Sequence, residues 1–365
     1  MNQHDSGCED AHSCTLKELG WTEDLTEAFS KYPGPYLPGR VACRQKTVWE
    51  VLIESGSVTT GISGALKKLG RFPAVGDFVV LHHQPDAGIS TIVDILPQRS
   101  VFTRGSSGKD GTEQVIAANI DIVFIVTAAG HDLNARRIER YLAIAHASGA
   151  RPVIVINKSD LSDDPALLTD EIIPVASGVP VIPVSAIQGE GIARLEQFLT
   201  PGTTIVLVGS SGVGKSTLIN RLLDRPVQET AVTRDYDGKG RHTTTVRQLF
   251  ILKGGALMID SPGIREVGMG TASAGIDETF PEIIGLAVGC RFSDCRHEQE
   301  PGCAVQEAVK NGTLSALRLE NYHRLMRERA FELEKAEIGL VRSERKRWKG
   351  IAKFAKEITK GKRDF

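Results

Sequence analysis

The stretch Thr204-Ile-Val-Leu-Val-Gly209-Ser210-Ser211-Gly212-Val213-Gly214-Lys215-Ser216-Thr217-Leu-Ile-Asn-Arg-Leu-Leu223 joins a short apolar, β-branched run to a helix-forming segment through a glycine-rich loop. Strand, Gly-x-x-x-x-Gly-Lys-Ser loop and helix in that order make a phosphate cradle. The glycines let backbone N–H groups close around an anion at the positive end of the helix dipole. In such a cradle Lys215 reaches the β- and γ-phosphates of a nucleotide, and the Ser216 hydroxyl ligates magnesium. Residues Gly209 to Thr217 are therefore expected to line a nucleotide site in an α/β domain.

Two other segments complete that chemistry. Asp260-Ser-Pro-Gly263 follows the apolar run Ala256-Leu-Met-Ile259, which puts Asp260 at a strand tip, where it would hold Mg2+ through water. The Gly263 N–H would sense the γ-phosphate. Between these motifs lies Gly238-Lys-Gly-Arg-His-Thr-Thr-Thr245, with little to pack in a core, and it reads as a switch whose threonine closes on magnesium. Asn157-Lys158-Ser159-Asp160 follows the buried-strand pattern Pro152-Val-Ile-Val-Ile156. A carboxylate at Asp160 accepts from both the N1–H and the exocyclic amine of guanine, a donor pair adenine lacks, and such sites discriminate by about 10⁴-fold. Four residues alone also fit a helix N-cap after a strand. Ser185-Ala186, after Val179-Pro-Val-Ile-Pro-Val184, is similar to the loop that supports guanine O6 and strengthens the first reading.

The base-reading motif precedes the phosphate loop, the reverse of the usual GTPase order, so the domain reads as circularly permuted. These motifs, the stretch Glu113-Gln-Val-Ile-Ala-Ala-Asn-Ile-Asp121, the Gly240-Arg-His-Thr-Thr244 segment and a downstream Cys/His cluster resemble the RsgA (YjeQ) family of GTPases dependent on the small ribosomal subunit. The resemblance covers roughly residues 38–335. It implies a multidomain chain: an N-terminal OB-fold β-barrel, a central permuted P-loop GTPase domain and a mostly helical zinc-binding domain. It further implies hydrolysis of GTP to GDP and phosphate, slow alone and stimulated by the small (30S) subunit or its precursor. A role in late subunit maturation, contact with rRNA, and Thr244 as the magnesium threonine are implied in the same way.

The cluster is Cys290-Arg-Phe-Ser-Asp-Cys295-Arg-His297-Glu-Gln-Glu-Pro-Gly-Cys303. Cys290, Cys295, His297 and Cys303 form a closed set for one structural Zn2+, with no vacant position for a substrate. Disulfide pairing is the alternative, set against an N-terminus unlike a secretory signal. With 44 basic and 45 acidic residues the chain is near neutral, so any nucleic-acid surface must be a local patch. No apolar run approaches the roughly 18 residues that span a bilayer, and a cytoplasmic, monomeric protein is expected.

Residues 1–37 read as a partly ordered extension, where His4, Cys8, His12 and Cys14 have spacings a metal could use but read more simply as a flexible tail. Short β-like runs at Arg40–Arg44, Val48–Ile53, Asp77–Leu81 and Ile89–Ile95 make residues 38–104 a small barrel. Arg40, Arg44, Lys46, Lys67, Lys68, Arg71 and Arg99 would contact RNA phosphates if they share a face, and are otherwise a solvated surface. Residues 105–112 read as a linker, 113–284 as the GTPase domain, 285–341 as the zinc domain and 342–365 as a basic tail, either an RNA-binding arm or a solvated helix end.

Ile264 stands where many GTPases place a glutamine that orients the attacking water, so hydrolysis without a partner should be slow. His242 is the nearest replacement, either orienting water once a partner moves its loop or merely anchoring that loop. Gly212 stands where some relatives hold potassium with an asparagine, and no potassium requirement is expected. Two other functions fit the same motifs: a nucleotide-gated RNA-binding regulator of translation with incidental hydrolysis, and a GTPase acting on another structured RNA such as tRNA.

Overall fold

The computed structural model of the chain describes residues 14–83, 90–104, 114–130, 133–224, 247–260 and 274–338. The chain divides into two compact units, residues 1–102 with 115–266, and residues 103–114 with 267–365.

The first unit opens with helix α1 (Glu23–Phe29) and five strands, β1 (Tyr36–Gln45), β2 (Val48–Ile53), β3 (Gly56–Ile62), β4 (Phe78–His82) and β5 (Ser90–Ile95), with the short helix α2 (Gly64–Lys68) after β3. The strands follow one another as β1-β2-β3-β5-β4, and β4 returns to β1. This closed five-stranded arrangement, with β3 and β5 parallel, is the OB-fold. Closure rests on the length of β1. Its first half, Tyr36 to Arg40, pairs with β4, its second half pairs with β2, and the register shifts between Val41 and Cys43. The bulge bends the strand across the barrel. Inside lie Val41, Trp49, Val51, Ile53, Val79, Leu81 and Ile92.

Four of these strands match the runs expected from sequence, and β3 is an addition. Gly56 and Gly61, a residue type that usually separates strands, both lie within it. Residues 14–35, part of the stretch expected as a partly ordered extension, pack against the barrel. Leu19 and Leu25 are buried, Trp21 meets the Phe78 ring edge-on at 5.3 Å, and the Tyr32 hydroxyl donates to Asp94 at 2.6 Å. Trp21, Leu25 and Phe29 recur every fourth residue, a one-faced helical pattern visible in the sequence.

After β6 (Val101–Arg104) and β7 (Gln114–Ala118) come β8 (Ile122–Ala128), α3 (Ala135–Ser148), β9 (Arg151–Asn157), α4 (Pro165–Ala176), β10 (Val181–Pro183), α5 (Ala193–Glu196), β11 (Thr204–Gly209), α6 (Lys215–Leu223), β12 (Gln248–Ile251) and β13 (Leu257–Asp260). The sheet order is β10-β9-β8-β11-β13-β12, parallel except for β12. Its strands are near-continuous Val/Ile/Leu runs because helices cover both faces of a parallel sheet. The chain winds outward from β8 to β10, then returns to β11 on the other side of β8. Carboxyl ends of strands beside such a reversal form a crevice for ligands.

Barrel and parallel sheet are continuous. Cys43 of β1 pairs with Gln248 of β12, and Arg40 ties the same junction. Its fully buried guanidinium donates to Leu19 O at 2.6 Å, Gly76 O at 3.1 Å and Asn119 O at 3.0 Å, and lies 4.8 Å from the centre of the Phe78 ring. Arg40 was expected among the phosphate-contacting cations; burial removes it from that set. Burial lowers its pKa to about 10, so it stays charged at neutral pH. Asn119, at φ 55°, donates to Gly76 O as well and accepts from the Arg99 N–H. Arg71 and Arg99 are engaged by Asp94 and Asp121 at 3.3 and 3.4 Å.

In the second unit, helices α7 (Ala274–Thr279), α8 (Pro281–Ala287), α9 (Ala304–Lys310) and α10 (Ala316–Ile338) surround buried Ile276, Phe280, Ile283, Leu319 and Leu325. Arg318 stacks 4.2 Å from the Phe280 ring centre and pairs with Glu282 at 2.5 Å. Residues 274–284, expected to close the GTPase domain, therefore belong to this unit. Phe280 and Ile283 form its core. Among the described residues no helix is long and apolar enough to cross a membrane.

Candidate nucleotide site and metal centre

The carboxyl ends of β9, β10, β11 and β13 carry the candidate motifs: Asn157, Ser185-Ala186 two residues past Pro183, Gly209 and Asp260. Gly209 has φ 148°, and a Cβ there would come within 2.1 Å of Val126 O on β8. Only glycine lets the loop leave the sheet at that point.

Asn157 clasps three segments. Its Nδ2 donates to Val213 O at 2.8 Å, and its Oδ1 accepts from Ala186 N at 3.0 Å. A Cβ on Gly214, at φ 90°, would stand 2.3 Å from the same Nδ2. The base-reading, Ser-Ala and phosphate-loop motifs thus meet on one buried carboxamide. Beyond Asn157, Lys158 takes a left-handed conformation at φ 58° and Ser159 N donates to Val184 O at 3.1 Å. These fix the 3-10 turn Ser159–Leu161 that carries Asp160. The Ser185 Oγ accepts from Gln188 N at 3.1 Å, tightening the neighbouring loop.

Lys215 begins α6 and donates to Gly209 O at 2.7 Å and to Ser210 O. Ser216 and Thr217 follow in the first turn of α6, while Ser211 and Gly212 are exposed at the loop tip. Burial at the end of β13 pushes the Asp260 carboxyl up to about 6. A divalent cation beside it would restore the charged form.

Two cations that sequence reading did not single out act on these loops. Arg137, in the first turn of α3, donates to Ser210 Oγ at 2.6 Å. The Arg221 guanidinium lies so close to Gly189 that a Cβ there would meet its Nη2 at 2.2 Å. Neither lies in a recognisable motif, and only the fold brings them to the loops. His242, Thr244 and Gly263 lie outside the described residues, as do Ile264, the 105–112 linker, the 342–365 tail and His4, Cys8 and His12.

In the second unit, Cys290, Cys295, His297 and Cys303 place their ligand atoms within 4.8 Å of one another. His297 Nδ1 is 3.6 Å from Cys290 Sγ and 3.5 Å from Cys303 Sγ, and those sulfurs are 3.9 Å apart. All three cysteines are free of disulfides. Cys303 caps α9 by accepting from Gln306 N at 3.4 Å, and Gln306 Nε2 donates to His297 O at 2.5 Å. Burial lowers the His297 pKa, favouring the neutral imidazole that binds metals. The cluster can hold a metal ion.

A family model described as RsgA GTPase matches residues 95–270. A Methanosarcina acetivorans protein named small ribosomal subunit biogenesis GTPase RsgA is 52% identical over 364 residues, covering 99% of both chains. An Opitutus terrae protein of the same name is 45% identical, over 92% of this chain and 96% of its own. Among solved structures, that of YjeQ from Thermotoga maritima superposes with a TM-score of 0.62 at 29% identity, over 81% of this chain and 99% of that one.

Proposed function

This chain belongs to the RsgA GTPase family, and from that premise we propose that it hydrolyses GTP on the small ribosomal subunit or its late precursor, acts in that subunit's maturation, and is stimulated by it. The observation that carries the nucleotide reading is the Asn157 clasp, which joins motifs from three segments of a permuted chain. In this reading Asp160 reads guanine, the Ser185-Ala186 loop supports its O6, and the Gly209–Thr217 loop with Lys215 takes the phosphates. Ser216, Thr244 and Asp260, the last through water, hold Mg2+. The ion would neutralise charge on the transferring phosphoryl group. His242 would position water once a partner orders its loop.

Zinc is the metal proposed for the cluster. A tetrahedral ion about 2.3 Å from sulfur and about 2.0 Å from nitrogen has edges of about 3.8 Å between sulfurs and about 3.5 Å from sulfur to nitrogen. The distances of 3.9, 3.6 and 3.5 Å among Cys290, His297 and Cys303 fit those edges, and Cys295 completes the set within 4.8 Å.

GTP turnover measured alone, with small subunits and with large subunits at one salt concentration tests the function. Acceleration by small subunits only, about 10- to 10³-fold if the partner completes the site, is expected. Equal rates in all three would replace this reading with that of a nucleotide-gated RNA-binding switch.

A further inference from the structure

We infer that the barrel carries a stacking site for an unpaired RNA base, built from Phe72 and Arg44, with Lys46, Lys67 and Lys68 as its phosphate contacts. The inference rests on the reading of the chain as a protein that contacts ribosomal RNA, and names the residues and the form of RNA.

Phe72 is 47% exposed and neighbouring Leu69 is 70% exposed, large apolar surfaces on a connection whose following residues, Ala74 and Val75, are buried. The Arg44 guanidinium lies 5.5 Å from the Phe72 ring centre and 5.0 Å from that of Trp49, the residue opposite it across β1 and β2. Trp49 is buried, and its Nε1 donates to Pro73 O at 2.9 Å. That bond pins the backbone directly after Phe72, so the aromatic platform is held before any ligand arrives. A preformed ring beside a guanidinium plane stacks a nucleobase through both π and cation–π contacts.

Charge complementarity selects the occupant. Residues 43–76 contain Arg44, Lys46, Lys67, Lys68 and Arg71 against two carboxylates, Glu50 and Glu54. Arg71 is engaged by Asp94, which leaves the two lysines closing α2, Lys46 in the β1–β2 turn and Arg44 to meet an anionic backbone. Duplex bases are stacked on each other and cannot present a face to Phe72, so the favoured ligand is a single-stranded segment.

The test uses the full chain with a labelled ten-nucleotide oligouridine, an RNA duplex of ten base pairs and heparin, a polyanion without bases. Phe72→Ala should weaken oligouridine binding about 10-fold without changing the slope of log K against log salt. Phe72→Tyr should retain the affinity, while Lys67→Ala with Lys68→Ala should flatten that slope by about 1.4. Duplex and heparin binding should be indifferent to Phe72. Unchanged oligouridine binding by Phe72→Ala overturns the proposal, and so does an equal loss toward heparin. Subunit-stimulated GTP turnover of the unsubstituted chain, measured alongside, keeps the two readings apart. Its absence counts against the ribosomal function, whereas its presence with a Phe72-independent oligouridine affinity counts only against the stacking site.

Discussion

Asn157 shows how one side chain can organise a site by holding its loops together. Both halves of its carboxamide are occupied by backbone groups of other loops, so its neighbour Asp160 stands on a turn whose position is already decided. The sequence displays Asn157 and Asp160 as one motif, but the division of labour between them follows from the fold. Asp160→Asn is the decisive substitution here. It replaces an acceptor of the guanine N1–H and amine with a donor, so affinity for GDP should fall about 10²-fold or more. Affinity for the xanthine nucleotide, which presents a carbonyl in place of that amine, should rise. Fluorescence titration with both nucleotides measures this, and an unchanged preference would remove Asp160 from base recognition.

At the level of elements, the parallel strands were legible because a strand buried on both faces must be a continuous β-branched run. The phosphate loop was legible because only glycines make its turns. Strand β3 was not, since its glycines and threonines carry no alternation to distinguish them from a turn. Arg40 misled for a related reason: charge is visible in a sequence and burial is not. Its structural role gives a direct expectation. Arg40→Met strands the carbonyls of Leu19, Gly76 and Asn119 in a dry junction and should cost about 3–5 kcal/mol. Urea unfolding followed by tryptophan emission and by nucleotide release should then separate into two transitions, the barrel first. One transition at the original midpoint would show that the β1–β12 contact and the apolar packing suffice.

Across the whole molecule, the two compact units differ in what sustains them. The first has a large apolar core. The second is small, and in the proposed reading a metal supplies order that its core alone does not. Structural zinc can contribute on the order of 10 kcal/mol to such a module. Cys295→Ser should therefore reduce bound zinc from one per chain to nearly none and abolish hydrogen-exchange protection in α9. GDP affinity should stay within about 3-fold. Full zinc content in the variant would remove Cys295 from the ligand set. The boundary between the units escaped sequence reading because α7 and α8 follow the nucleotide motifs without a change in composition. Only their packing on Phe280 and Arg318 assigns them.

The sheet order has a consequence for the nascent chain. Strand β8 is synthesised with β9 and β10, but its other neighbour, β11, emerges about 75 residues later, and β12 reaches β1 only after about 200. At roughly 5–20 residues per second, the barrel edge waits about 10–40 s for its partner strand. The half that reads the base must persist for about 4–15 s, the time those 75 residues take at that rate, with an open, strongly apolar β8 edge, a template for aggregation. Permutation thus lengthens the time the emerging polypeptide depends on chaperones or on the shelter of the exit tunnel.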